Sequence, residues 1–222
     1  DGNYLVNVDP KYHNYHFGLY KIDIYVSSQN RVRTLTNSIT QQVLPYTIMG
    51  ETTTTVDQMM RYYEASKKPY PAIELGMGGA LTLREFCQMY YEEAEVEGVR
   101  AEVAFTQAMK ETGWLQYKGI VKIEQFNFAG IGALDGNAQG NCASFPDVRT
   151  GIRAQIQHLK AYGSEEPLVN DPVDPRFGLV KRGCAPYVSY LGQKENPNGL
   201  GWATAVNYGN DIVSMIKELK NK

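Results

Sequence analysis

Apolar and polar positions alternate along Tyr20-Lys21-Ile22-Asp23-Ile24-Tyr25-Val26. Ile22, Ile24 and Val26 fall on one face and Lys21 and Asp23 on the other, the period-two pattern of a half-buried strand. Tyr4 to Val8 reads as a shorter strand. One or two strands cannot bury a face alone, so this leader either pairs with later strands or ends a preceding β module. From about Thr47 the spacing changes to threes and fours. Thr54 with Asp57 starts a helix whose stripe is Val56, Met59 and Tyr63. Residues 67–79 are rich in Pro and Gly and read as a loop. Thr82 with Glu85 forms a capping box for a helix reaching about Glu97, with Gly98 as its stop. A second helix runs from about Arg100 to Thr112, with Gly113 past its end. A Gly-rich, non-helical stretch follows to about Pro146. Asp147 or Thr150 then starts a helix with stripe Val148, Ile152, Ile156 and Leu159, closed by Gly163. Residues 164–201 are broken by Pro and Gly, with room for a short helix around Tyr187 to Leu191. Thr204 caps a last helix with stripe Tyr208, Ile212, Met215, Ile216 and Leu219. The pattern predicts a mainly α (α+β) chain, with a β-rich leader over 1–46 and a mostly helical domain over 47–222.

Composition narrows the class. Of 222 residues, 43% are apolar and 21% charged, a globular balance that excludes a disordered chain or a coiled coil. No run approaches the eighteen or so apolar residues of a membrane span. The opening DGNYLVNVDP lacks a signal-peptide pattern and reads as the interior of a longer protein. Net charge is −2, from 22 Lys+Arg against 24 Asp+Glu, with no basic stripe, which argues against nucleic acid as a partner. The three cysteines, Cys87, Cys142 and Cys184, have no metal-ligand spacing and make no disulfide framework, so free thiols are expected. No cofactor and no metal are expected, and the chain is expected to be a monomer. The 16 Tyr against 7 Phe suit stacking on sugar rings as well as ordinary burial.

The segment with most chemical content is Glu102-Val-Ala-Phe-Thr-Gln-Ala-Met-Lys-Glu111-Thr-Gly-Trp114. On a helix, Ala104, Gln107, Ala108 and Glu111 share a face, and its small residues let another element come close. Partial desolvation there favours the neutral carboxyl. Glu111 also sits in the last turn, where the macrodipole disfavours a negative charge by about 0.3–1 kcal/mol. A carboxylic acid kept protonated near neutral pH is what a glycosidase needs to protonate a leaving oxygen. The residues alone equally allow a solvated helix-end Glu beside Lys110. In Glu124-Gln-Phe-Asn127-Phe128-Ala129-Gly130-Ile131-Gly132-Ala133, the small residues imply a backbone that comes close to a ligand or to a facing helix.

Gln107-Ala-Met-Lys-Glu111-Thr-Gly-Trp114, followed by Asn127-Phe-Ala-Gly-Ile-Gly132, resembles the glucosaminidase family of peptidoglycan hydrolases, glycoside hydrolase family 73. Its Gram-positive branch is similar also in Ser144-Phe-Pro-Asp-Val-Arg-Thr-Gly151, Arg153 to Tyr162, Asp174-Pro-Arg-Phe177, Arg182-Gly-Cys-Ala-Pro-Tyr187, Gly201-Trp-Ala-Thr204 and Tyr208-Gly209. These motifs occur in order over residues 47–222. The likeness is greatest to clostridial autolysin catalytic domains, which follow strings of β-rich wall-targeting repeats. His13 to Val26 resembles the end of such a repeat.

The resemblance implies a lysozyme-like helical domain, secreted and wall-associated in a Gram-positive bacterium. It implies cleavage of peptidoglycan between N-acetylglucosamine and N-acetylmuramic acid, with Glu111 as general acid. The family's catalytic Tyr falls on Tyr208, with Tyr187 as the competing candidate. Substrate contacts are expected from Gln107, Trp114, Asn127, Phe128, Ala129, Gly130, Phe145, Tyr187 and Trp202, although Trp114 and Trp202 also suit a helical core. Some members place a second acid in a hairpin about thirty-five residues after the first Glu. Here that region is Asp135-Gly-Asn-Ala-Gln-Gly-Asn-Cys-Ala-Ser144, which contains no Glu. Asp135 and Asp147 are the acids nearby, and Asp147 has a helix to cap. Either a loop acid holds the water, or the substrate's own 2-acetamido oxygen assists with Tyr208 in support. His158 has no His or Cys partner at zinc spacing and reads as a hydrogen-bonded structural residue.

Overall fold

The computed structural model describes residues 18–27, 33–132 and 142–222. The strand expected over Tyr4–Val8 and the acid Asp135 lie outside these residues. The chain divides into two compact units, Asp1–Pro45 and Tyr46–Lys222.

In the first unit, β1 (Gly18–Ser27) pairs antiparallel with β2 (Arg33–Val43). Ile22 stands opposite Ile39, and a register shift follows Ile24. Ile22 and Ile24 are half-buried while Lys21 and Asp23 are exposed, as the alternation requires. Val26, beyond the irregularity, is exposed.

The second unit is built of six helices among the described residues: α1 (Val56–Ala65), α2 (Ala72–Met77), α3 (Leu83–Glu97), α4 (Ala101–Thr112), α5 (Val148–Gly163) and α6 (Tyr208–Lys220). The chain is thus mainly α with N-terminal strands, the α+β class expected of a lysozyme-like domain. The capping box of Thr82 and Glu85 opens α3, and Gly98, at φ +71°, closes it. Gly113, at φ +58°, closes α4 in the same way. Both take the left-handed conformation that glycine adopts without a Cβ penalty. Asp147 caps α5 through the Thr150 amide at 2.7 Å, and Val148, Ile152, Ile156 and Leu159 are all buried.

Three boundaries differ from the sequence pattern. Helix α1 is capped by Thr55, whose box partner is Gln58, one residue later than expected. Asp57 is instead paired with Arg84 on the surface. Residues 67–79 are not all loop: α2 forms there because Pro71, at its entry, presets φ and gives up no amide that the first turn needs. Thr204 does not cap α6. A turn over residues 205–207 leads in, and Asn207 at φ +62° enters the helix while its amide donates to Glu195 Oε1 at 2.7 Å. Asn tolerates that left-handed geometry better than most residues.

Helix α3 packs against α5, α4 and α1, and α6 packs against α4 and α1. At the centre Phe86, Tyr90, Phe105 and Phe128 meet edge to face, with centroids 5.2 Å apart for Phe86–Tyr90 and Phe86–Phe128 and 5.7 Å for Tyr90–Phe105. Polar groups on the far side of this core tie down the long segment after α5. The Glu97 carboxylate accepts from the Lys160 ammonium at 2.9 Å and from the Val169 and Asn170 amides at 3.0 Å. Gln157 accepts from the Val173 and Asp174 amides and donates to the Asp171 carbonyl. A buried charge left unpaired is strongly unfavourable, so these contacts fix the segment's course. That course brings Asp174 to His158 and Arg176 to the cleft described next.

Candidate active site

An open cleft of about 760 Å³ is lined by Glu111 from the end of α4, Tyr208 from the start of α6, Gly130, and His158, Tyr162 and Trp202. Glu111 arrives there on the last turn of α4, which Gly113 ends two residues later. Glu111 is an exposed residue by accessible surface, yet protein atoms crowd around its carboxyl end. That desolvation raises its pKa above the usual carboxylate value, against the opposing pull of the Tyr208 hydrogen bond and the Lys110 charge.

The two carboxyl oxygens have different surroundings. Oε1 accepts a hydrogen bond from the Tyr208 hydroxyl. Oε2 faces Gly130: a Cβ at that glycine would lie 3.8 Å from it. Gly130, at φ +64°, therefore serves both a left-handed turn and a close approach. Tyr208 is 4% exposed. Its own pKa is driven far up, first by burial and then by the neighbouring Glu111, so the phenol is a donor and not a phenolate. Lys110 reaches past Glu111 to Asp211 at 2.8 Å and lies 5.6 Å from the Tyr208 ring centre.

On the facing side, His158 Nδ1 is 2.7 Å from Asp174 Oδ2, and its ring meets Trp202 edge-on at 4.7 Å. Tyr162 stacks obliquely on Trp202 at 5.7 Å. His158 is thus hydrogen-bonded, as its sequence context indicated, but it also borders the cleft. Arg176 and Lys181 line the same wall. Among the described lining residues Glu111 is the one carboxylate.

Of the residues singled out in the sequence, Glu111, Tyr208, Ala129, Gly130 and Trp202 meet at the cleft. Gln107 lies behind them, fully buried, donating to the Tyr208 oxygen at 3.1 Å. Asn127 is 1% exposed and spends its amide on the loop itself. Its nitrogen donates to the Ile131 and Ala143 carbonyls, and its oxygen accepts from the Ala129 and Ile131 amides. It shapes the turn that presents Gly130. Phe128 and Phe145 belong to the core. Trp114 packs against Tyr62 at 5.0 Å and Tyr63 at 6.2 Å, away from the cleft lining. Tyr187 stacks on Tyr190 at 5.2 Å and is not part of the lining either. Tyr162, Arg176 and Lys181 were not picked out individually; Tyr162 and Arg176 lie inside quoted motifs, which was the available signal. Asp147 is occupied as the α5 cap. Cys87, Cys142 and Cys184 are free, and Cys184 borders the cleft.

A carboxyl at the rim of an open cleft is an arrangement that a glycoside hydrolase can use. A family model described as Glucosaminidase, mannosyl-glycoprotein endo-beta-N-acetylglucosaminidase, matches residues 87–221. The chain belongs to this glucosaminidase family of glycoside hydrolases. It is 42% identical over 130 residues to an uncharacterized protein of Borreliella burgdorferi, a match covering 59% of each chain. The chain thus spans well under two thirds of that relative's length. No solved structure matches the chain.

Proposed function

We propose that this protein hydrolyses the glycan strands of bacterial peptidoglycan as an endo-β-N-acetylglucosaminidase, with Glu111 as general acid. The observation that carries this reading is the split environment of one carboxyl: Oε1 is held by Tyr208, while Oε2 has no hydrogen-bond partner among the described residues and lies on the side of Gly130, which lines the cleft. A raised pKa keeps a proton available to a leaving oxygen. Trp202 and Tyr162 offer aromatic surface for sugar rings. Arg176 and Lys181, which form no ion pair among the described residues, suit the carboxylates of the peptide stems that peptidoglycan carries.

For the nucleophile of the bond-breaking step we favour substrate assistance. The described cleft offers one carboxylate, and the 2-acetamido oxygen of the substrate can attack the anomeric carbon from within. The proton on Glu111 passes to the leaving oxygen as that bond breaks. Water then opens the oxazolinium intermediate, with Glu111 taking a proton back. In this scheme Tyr208 acts on Glu111, whose oxygen it holds, and not on the sugar. Such a substrate fits action at the wall, in its turnover or in cell separation, and fits a targeting role for the β-rich leader.

Mass spectrometry of digested walls tests the reaction. Reducing N-acetylglucosamine ends are expected. Ends in 1,6-anhydromuramic acid would make the enzyme a lytic transglycosylase, and intact walls with no loss of turbidity would leave a binding module. A second expectation concerns pH. Lys110→Met removes the cation that lowers the Glu111 pKa. That pKa then rises, the acid stays protonated to higher pH, and the basic limb of the kcat/KM profile moves up. A limb that stays in place or moves down would contradict it.

A further inference from the structure

Four helices contribute to an unbroken run of buried hydrogen bonds that ends on Glu111. Tyr90 of α3 donates its hydroxyl to Gln155 Oε1 of α5 at 2.7 Å. Gln155 Nε2 donates to Gln107 Oε1 of α4 at 2.9 Å. Gln107 Nε2 donates to the Tyr208 oxygen of α6 at 3.1 Å, and Tyr208 donates to Glu111. Tyr90, Gln155 and Gln107 are each 0% exposed. Tyr90 and Gln155 do not reach the cleft.

The run has a direction, and a main-chain group sets it. Gln155 Nε2 also donates to the Ala104 carbonyl at 2.9 Å. A carbonyl can only accept, so the nitrogen of Gln155 must face it. That fixes Oε1 towards Tyr90, whose hydroxyl can donate there. The second N–H of Gln155 then demands the oxygen of Gln107, which turns the nitrogen of Gln107 towards Tyr208. A phenol has one proton. With its oxygen already accepting from Gln107, Tyr208 is left to donate to Glu111. Glu111 Oε1 is thereby an acceptor, and a proton on the carboxyl belongs on Oε2, the oxygen on the side of Gly130.

We propose that Gln155, through Gln107, is a positioning residue for the glycosidic acid: the one-way relay from the Ala104 carbonyl and Tyr90 to Tyr208 keeps the Glu111 proton on the oxygen that faces the substrate. This rests on Glu111 as general acid. Were either amide to turn over, Tyr208 would give its proton to Gln107. The carboxyl would then be free to point its own proton at Tyr208, away from the leaving oxygen.

The test compares Gln155→Glu, Gln155→Met and Tyr90→Phe with the wild type in wall lysis, thermal melting and the Glu111 carboxyl titration followed by ¹³C NMR. Gln155→Glu removes the donors that orient Gln107, Gln155→Met removes its polarity, and Tyr90→Phe removes one hydroxyl at the far end. In each folded Gln155 variant the Glu111 pKa is expected to rise, because the carboxylate loses the Tyr208 donor that favours its charged form; Tyr90→Phe removes one of the two holds on Gln155 and leaves the Ala104 carbonyl to orient it. The basic limb of the pH–rate profile should move up with that pKa. For the two Gln155 variants kcat should fall by about tenfold with KM little changed, since substrate contacts are untouched while the general acid's contribution is partly lost. Tyr90→Phe should shift in the same direction by less, and it keeps the test alive if the Gln155 variants fail to fold. Folded variants with a wild-type Glu111 titration and kcat would overturn the relay. A shifted titration with unchanged kcat would instead leave the relay intact and refute Glu111 as the acid.

Discussion

Glu111→Gln is expected to abolish wall lysis while leaving the fold intact. Gln keeps the size of the side chain and an oxygen to accept from Tyr208, but it has no proton to give a leaving group. Protonation of that kind contributes roughly 10²–10⁴-fold in rate, so residual activity should be about one per cent or less. The variant should also be at least as stable as the wild type at neutral pH. A folded-state pKa raised above the unfolded value means that the carboxyl's contribution is fully present below the unfolded pKa and is lost as pH rises through the folded one. The wild type carries that loss at neutral pH and the amide does not. The melting difference should therefore shrink as the solution is acidified. Activity above a tenth of wild type, or an amide variant that melts lower at neutral pH and higher in acid, would contradict the assignment.

Gly151→Ala carries the largest expected effect on stability. Helix propensity alone predicts a gain of about 1 kcal/mol for replacing a mid-helix glycine with alanine. The packing reverses the sign. A Cβ at Gly151 would lie 1.8 Å from the Phe126 carbonyl oxygen and 3.3 Å from the Phe128 ring. The nearest atom is backbone, so no rotamer change relieves the overlap, and α5 or the 126–131 turn must move. Overpacking of this order costs about 3 kcal/mol, a drop in Tm of roughly 6–12 °C for a domain of this size. The same turn presents Gly130 to Glu111, so wall lysis should fall in the folded fraction as well. Gly119→Ala, with nothing within 4 Å and no positive φ, is the matched control and should melt like the wild type. Equal melting of the two variants would show that α5 and the turn have room to separate.

Local signals were enough to define α3, α4 and α5. Thr82 with Glu85, Gly98, Gly113 and Asp147 act within one helical turn of themselves, through hydrogen bonds and backbone conformations that depend on a handful of neighbouring residues. The shared face of Ala104, Gln107 and Glu111 follows from helical spacing, and the structure puts that face against other helices as its small residues require. Local chemistry was insufficient where the competing partner is distant. The start of α6 depends on Glu195 taking the Asn207 amide, a contact that no pattern around Thr204 encodes.

The amino-acid sequence by itself determined the helical class, most helix ends, the family resemblance and the carboxyl around which the site is built, because each is written in short-range spacing or in ordered motifs. The tertiary structure alone decided which expected contact residues reach the cleft and which serve the core. Asn127 and Phe128 sit beside Ala129 and Gly130 in sequence, yet a single tight turn keeps the first pair out of the cleft lining, while Gly130 and the equally buried Ala129 border it. It also decided the state of the carboxyl. The direction of the Tyr208 proton arises from residues 90, 104, 107, 155 and 208, on four helices, and a hydrogen-bond direction is a property of the closed chain of partners, not of any one of them.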